Sequence, residues 1–375
     1  MNTNHPDAES KPQAKPGPAE TATSRSGEPL PGPEKRLLDR VRNWVDVFPW
    51  LRLVRVCRVA GGPVWVGHTL MVMVVWLVGW SLIGDTSLAS IEPTSMRTVA
   101  SLAVSTTACP SDGVVALPGI LIGGGVAGAS GWRNWMKILW TILIWLPTSM
   151  GLVRVGSLLT GGRDMPSYLG TFRVVFGRLR GALLIVILPS LVASLFWLVA
   201  VGLIWVSARL GGAAGGANWI SWVTLPIVFP ALVVAAVLVL GGRFAVPLAL
   251  AAWMIESEPD PIDSLSRGYE YTLRRLPQLV LLVVVALLIS SVVVLGFVGV
   301  SSVGLALADS FGGSHVPAEY SVAILPAVIG VMLLWSMIGG IYLLLRQSAG
   351  GQEVEDLAVE SDHWKSPKLP SVQTQ

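Results

Sequence analysis

Six stretches of this chain are apolar for about 20 residues or more, the length a helix needs to cross the hydrocarbon core of a bilayer. No other feature restricts the fold as strongly. Backbone N–H and C=O groups facing lipid must be satisfied within their own segment, so each stretch has to be helical. The runs are Pro63 to Gly84, Trp135 to Val153, Ala182 to Ser207, Ile220 to Gly242, Gln278 to Leu307 and Tyr320 to Leu345. Composition points the same way, since 53% of the 375 residues are apolar and only 13% charged, where a soluble domain has about a quarter charged. The expected fold class is all-α: a polytopic transmembrane helical bundle of six spans, over residues 63–346, with amphipathic interfacial helices on the cytoplasmic side.

Charge decides the expected orientation. Lys35 through Arg58 precede the first span, Arg154, Arg163, Arg173, Arg178 and Arg180 lie between the second and third, and Arg243, Arg267, Arg274 and Arg275 between the fourth and fifth. The other side holds Arg97, Arg133, Lys137 and Arg209. Cytoplasmic segments carry the excess of Lys and Arg, which puts both termini in the cytoplasm of an inner membrane. Trp65, Trp80, Trp135, Trp205, Trp219 and Trp222 near the span ends suit an interfacial aromatic belt. The net charge of +3 sits beside apolar runs, so it speaks for membrane orientation and against nucleic acid. Gly113 to Gly131 is uncharged but contains Pro118 and many glycines; it reads as a re-entrant or interfacial segment, with a seventh span as the alternative.

Residues 1–33, rich in Pro, Ala, Ser and Glu, and the tail 347–375 lack the apolar groups a packed core requires and are expected to be disordered. The first long apolar run begins about sixty residues in and lacks a short basic start, so it is expected to be a retained anchor and not a secretory signal peptide. Residues 34–62 read as a basic juxtamembrane segment. Within it Leu37, Leu38, Val41, Trp44, Val45 and Phe48 recur at helical spacing, so Glu34 to Phe48 is expected to lie on anionic lipid, ending at Pro49. Arg52, Arg55 and Arg58 follow three residues apart.

Between the spans two amphipathic segments are expected on the cytoplasmic side. One carries Tyr168, Leu169, Phe172, Val175, Phe176 and Leu179. The other begins with Asp260 as N-cap and Pro261 at the first helical position. Its polar face alternates Asp263, Arg267, Glu270 and Arg274, and its apolar face carries Leu265, Tyr269, Leu273 and Leu276. Such a ladder is either an intrahelical set of ion pairs or, with Tyr269 and Tyr271, a surface for a protein partner, with Arg173 and Arg178 as possible counter-charges. Superposing Ser167 on Ser264 places Phe172 on Tyr269 and Arg178 on Arg275, the pattern of two copies of a span, inner helix, span unit; two independent helices of similar composition explain it equally well.

The run Pro247-Leu248, Glu256 and Asp260-Pro-Ile-Asp-Ser-Leu-Ser-Arg-Gly-Tyr-Glu-Tyr271 resembles a family of uncharacterised multi-pass membrane proteins, chiefly of planctomycete-type bacteria, with an Asp-Ala-Leu-Ser-Arg-Ser-Tyr-Ser-Tyr signature. It is more distantly similar to membrane domains beside some glycerophosphodiester phosphodiesterases. Gly268 stands where that family has its second Ser, and Leu276 where it has Pro. The resemblance implies a multi-pass topology and carries no catalytic residues.

Chemistry is sparse. There is no Walker loop, His-Glu-x-x-His or Gly-x-Ser-x-Gly motif, and no cofactor is expected. Cys57 and Cys109 are too few for a disulfide framework, and His5, His68, His315 and His363 lack metal spacing. Every Asp and Glu lies outside the spans, which speaks against an ion-coupled carrier. Prolines at 147, 189, 226, 230 and 326 leave a small-molecule or lipid permease with broken helices as the alternative to a non-enzymatic scaffold or accessory subunit, with a membrane enzyme third. His68 reads as a satisfied histidine. Lys137 and Arg154 can snorkel from the second span. Arg243 is followed by apolar Phe244 to Ile255, so a helix break at Gly241-Gly242 is expected to bring it to the interface; Glu256 or Glu258 then meets it or Arg267.

Overall fold

The chain enters the fold through a 3-10 helix, Pro49–Gly61, and its period is written in the sequence. With three residues per turn, residues at i and i+3 stand above one another. Leu53, Val56 and Val59 form one such row and are fully buried, while Arg55 and Arg58 in the adjacent row are exposed. Pro49 therefore opens a helix, as suits a residue with no N–H to leave unpaired. The structure, a computed structural model, describes residues 48–83, 131–213, 219–256, 259–310 and 316–350. The expected lipid-lying helix of residues 34–48 (save Phe48), residues 113–130 and the N-terminal tail lie outside them. Of the tail 347–375 expected to be disordered, residues 347–350 instead form the end of the last helix, where Arg275 bonds the Ser348 carbonyl, and the rest lies outside.

The described residues are almost all helical, without strands, and six helices are long and apolar enough to cross a membrane. They are α1 (Pro63–Ile83), α2 (Gly131–Thr160), α3 (Tyr168–Ala213), α4 (Trp219–Ile255), α6 (Leu276–Ser310) and α7 (Val316–Gly350), with the short amphipathic α5 (Pro261–Arg274) between α4 and α6. The protein is a multi-pass membrane protein.

Several helices are longer than a bilayer. At 46 residues, α3 extends about 69 Å, and α4, with 37 residues, about 55 Å; a hydrocarbon core is about 30 Å thick. Two expected breaks are absent. The amphipathic segment from Tyr168 to Leu179 runs straight into the third span, because Gly181, the one weak helix former at the join, remains helical and lets the Trp253 ring lie where a Cβ would stand. Likewise α4 passes through Gly241-Gly242 and Pro247 to Ile255. Gly241 is buried under the Tyr269 ring, whose Cε1 is 3.0 Å from the place a Cβ would take, so this glycine allows a close approach and does not end the helix.

The helices pair as three antiparallel hairpins: α1 with α2, α3 with α4, and α6 with α7. Contacts such as His68 with Thr148 and Trp76 with Thr141 set the first register. Two of the hairpins have an arginine at the C-terminal end of their second helix, where the helix dipole and unpaired carbonyls favour a cation. Arg178 Nη1 donates to the carbonyls of Trp253 at 2.6 Å and Glu256 at 3.1 Å. Arg275 Nη1 donates to the carbonyl of Ser348 at 2.7 Å. Arg55 approaches Gly162, just past α2, a residue with φ of 77°. The equivalence of Arg178 and Arg275 suggested by the superposition thus has a structural counterpart. That of Phe172 and Tyr269 does not, since Phe172 stacks on Trp65 and Tyr269 packs on α4.

Burial is uneven. Most of α2 and α7 is buried, whereas α4 and α6 present long rows of exposed Val, Leu and Ile that hydrocarbon would cover. The two central helices touch through backbone: a Cβ on Gly156 would strike the Ser336 carbonyl, and one on Gly339 the Val153 carbonyl. Small residues permit such contacts between membrane helices, where packing replaces the hydrophobic driving force. Trp205 and Trp222 are exposed at one end, with the Arg209 guanidinium 5.2 Å from the Trp205 ring centre, as an aromatic belt requires. Trp65 departs from that expectation; it is 2% exposed and belongs to the core.

Candidate functional site

The polar cluster of the α5 end is built around the corner where α4 stops. Asp260 caps α5, its carboxylate accepting from the Ile262 N–H at 3.1 Å, and Pro261 takes the first helical position. This is the local chemistry expected of that pair. The helix then folds back along α4. Gly268 sits so close that a Cβ would meet the Ala245 carbonyl, which requires glycine there. The Tyr269 hydroxyl donates to the Leu238 carbonyl at 2.8 Å.

Glu256, the residue after α4, is the hub. Its carboxylate accepts from the Arg267 guanidinium and, at 2.9 Å, from the Tyr342 hydroxyl of α7. Its backbone carbonyl receives Arg178 of α3. Arg267 Nη2 also bonds Asp263 Oδ2 at 2.7 Å. The Glu256 side chain is 14% exposed and that of Arg267 40%, so the pair is screened on one side only. Tyr271 is buried, its ring centre 5.9 Å from that of Tyr342. Burial pushes the Tyr269 phenol up to about 12, and burial also raises Tyr271 against the lowering influence of Arg267. Both phenols therefore stay protonated and available as donors at neutral pH.

Of the expected surface, Tyr269 and Tyr271 pack into the fold and Arg267 reaches Glu256. Asp263, 46% exposed, and Glu270, 48% exposed, flank it on the solvent side, with Arg274, bonded to Glu270 at 2.7 Å, and Leu273 fully on the outer face. Asp260 is exposed at the cap. Arg178 serves the end of α4 and Arg173 is exposed. Arg154 is half-buried in α2, and Arg243 is exposed on an unbroken α4. Glu256 meets Arg267, one of its two expected partners. Arg178, expected as a counter-charge to the ladder, instead meets the backbone carbonyls at the end of α4; Tyr342 is the member that sequence reasoning did not assign to the cluster, and no local signal in an apolar run marks it.

A second polar group lies within the bundle. His68 Nε2 is 3.3 Å from Thr148 Oγ1 and Nδ1 is 2.8 Å from the Tyr168 hydroxyl. One tautomer satisfies both contacts, with Nε2–H donating and Nδ1 accepting. Trp65, Tyr168 and Phe172 enclose the ring. Among the described residues no group of three or more His, Cys, Asp or Glu could hold a metal.

No family model, curated protein or solved structure matches the chain, and the site has to be read from its own geometry.

Proposed function

We propose that this protein is a non-enzymatic scaffold or accessory subunit of a bacterial inner membrane, with α5 and both termini on the cytoplasmic side. The observation that carries the reading is the fixation of α5. Glu256, Tyr342 and the α4 backbone hold it from behind, while Glu270, Leu273 and Arg274 remain on its outer face. A face held rigid before binding loses little entropy on docking a partner. The compact charged cluster is taken up by mutual pairing, which suits structural service better than catalysis. Orientation is supported by Arg163, Arg173, Arg180, Arg274 and Arg346 at the α5 end. A permease reading loses its main support, because the helices remain continuous through Pro147, Pro189, Pro226, Pro230 and Pro326.

A photo-crosslinking residue at position 273 in the full-length protein tests the reading. It should give one discrete protein adduct in cells. Exchanging the exposed pair, Glu270→Arg with Arg274→Glu, keeps an ion pair on the helix but reverses its polarity, and should abolish the adduct without preventing insertion. An adduct unchanged in the exchanged variant, or none in the parent protein, overturns the proposal.

A further inference from the structure

The 3-10 helix Pro49–Gly61, just ahead of the first span, has three distinct sides. A 3-10 helix turns once every three residues, and runs longer than three or four residues are uncommon; on an α-helix, residues three apart drift round the surface by about 60° per step. The 13 residues of this helix keep each set of residues three apart in a straight column. Leu53, Val56 and Val59 are the buried column. Arg52, Arg55 and Arg58 form the second, in which Arg55 and Arg58 are exposed and one turn, about 6 Å, apart along the axis. Leu51, Val54, Cys57 and Ala60 form the third, half-buried save for Val54, which is 48% exposed. Neither Arg55 nor Arg58 is in an ion pair with a described residue.

Both ends of the helix stand where a span ends. Gly62 follows it and precedes Pro63, the first residue of α1. With 21 residues, α1 is about 32 Å long, one hydrocarbon thickness, so Pro63 lies at the boundary. Towards the other end, Leu53 packs on Gly340 of α7, which also faces Thr160, the last residue of α2 and of the 22-residue span Leu139–Thr160. Arg55 Nη1 reaches Gly162, just beyond. The helix therefore runs along the membrane surface and not away from it. One column lies against the protein; of the other two, the apolar one meets hydrocarbon and the basic one meets headgroups. We infer that the helix lies in the plane of the leaflet on the α5 side, with Arg55 and Arg58 holding the phosphates of anionic phospholipids and Val54 resting on their acyl chains. This surface is separate from the docking face on α5, and either reading can fail without the other.

A fluorophore on Val54→Cys, in the full-length protein carrying Cys57→Ala and Cys109→Ala, reads the lipid beside this helix. The protein is reconstituted in equal parts of phosphatidylglycerol and phosphatidylcholine with identical chains, one or the other brominated in its acyl chains so that it quenches the fluorophore on contact. Brominated phosphatidylglycerol should quench more strongly, at a local enrichment of about fivefold for each of the two arginines, or about 25-fold together. Arg58→Gln should lower the enrichment about fivefold, Arg55→Gln with Arg58→Gln about 25-fold, and Arg58→Lys should keep it, because the charge and not the side-chain shape attracts the phosphate. In bilayers of brominated phosphatidylcholine alone, quenching should persist in every variant, since the apolar column still meets lipid. Equal quenching by the two lipids in the parent, an enrichment unchanged by the double substitution, a loss in Arg58→Lys as large as in Arg58→Gln, or no quenching in brominated phosphatidylcholine overturns the inference.

Discussion

At the scale of single residues, Glu256 shows how one residue can tie three helices to the end of α4. Its carboxylate receives Arg267 from α5 and Tyr342 from α7, and its backbone carbonyl receives Arg178 from α3. Tyr342→Phe removes one hydroxyl donor and should cost about 1 kcal/mol, the net value of a hydrogen bond. Glu256→Gln removes the charge that offsets Arg267 and should cost about 1–3 kcal/mol, held to the low end because the Arg267 side chain is 40% exposed. Thermal unfolding of the detergent-solubilised protein measures both, and a double-mutant cycle should find Tyr342 and Arg267 each coupled to Glu256. Additivity in both cycles would show that Glu256 does not join them. The charge stripe on α5 was legible in the sequence at helical spacing, but that Arg267 is the member reaching across to Glu256 was not, because spacing along a helix does not say which neighbour covers it.

At the scale of helices, glycine decides where backbones meet. Gly156 and Gly339 at the α2–α7 crossing, and Gly268 on α5, leave no room for a methyl group against a neighbouring carbonyl, whereas Gly296 on α6 has nothing within 4 Å of a Cβ. Gly339→Ala and Gly268→Ala should each lower stability by about 1–3 kcal/mol, the range for overpacking a close contact. Gly296→Ala should be neutral or slightly stabilising, since alanine is the better helix former. Equal melting points for all three variants would refute the close crossings. In the sequence Gly156, Gly339 and Gly296 are indistinguishable, since each stands in an apolar run and only the opposing helix separates a packing glycine from a lipid-facing one. Gly241 misled for the same reason: it weakens a helix in isolation, yet here it makes space for Tyr269.

At the scale of the molecule, the antiparallel pairing of α1 with α2 places Ile83 and Gly131 at the same end, opposite Gly61 and the Gly161 to Ser167 turn. Single cysteines in a cysteine-free background test this arrangement with a membrane-impermeant maleimide. Asp164→Cys and Arg209→Cys, both at exposed sites, should label from opposite sides of the membrane. With α5 cytoplasmic, Arg209→Cys reacts in intact spheroplasts and Asp164→Cys only after lysis. Labelling of both from one side would break the hairpin topology, and the reverse pattern would invert the orientation while leaving the fold intact.

The number of membrane helices, their order and the start of α5 were determined by the sequence alone, because a bilayer forces helical hydrogen bonding on any long apolar run and because Asp260-Pro261 is a cap by its own chemistry. The tertiary structure decided where helices continue, which of their faces are protein and which are lipid, and which charges meet. In an all-apolar helix no alternation of polar and apolar residues marks the buried side. The burial of α2 and α7, the exposure of α4 and α6, and the meeting of Glu256 with Tyr342 across 86 residues come into being only when the hairpins assemble.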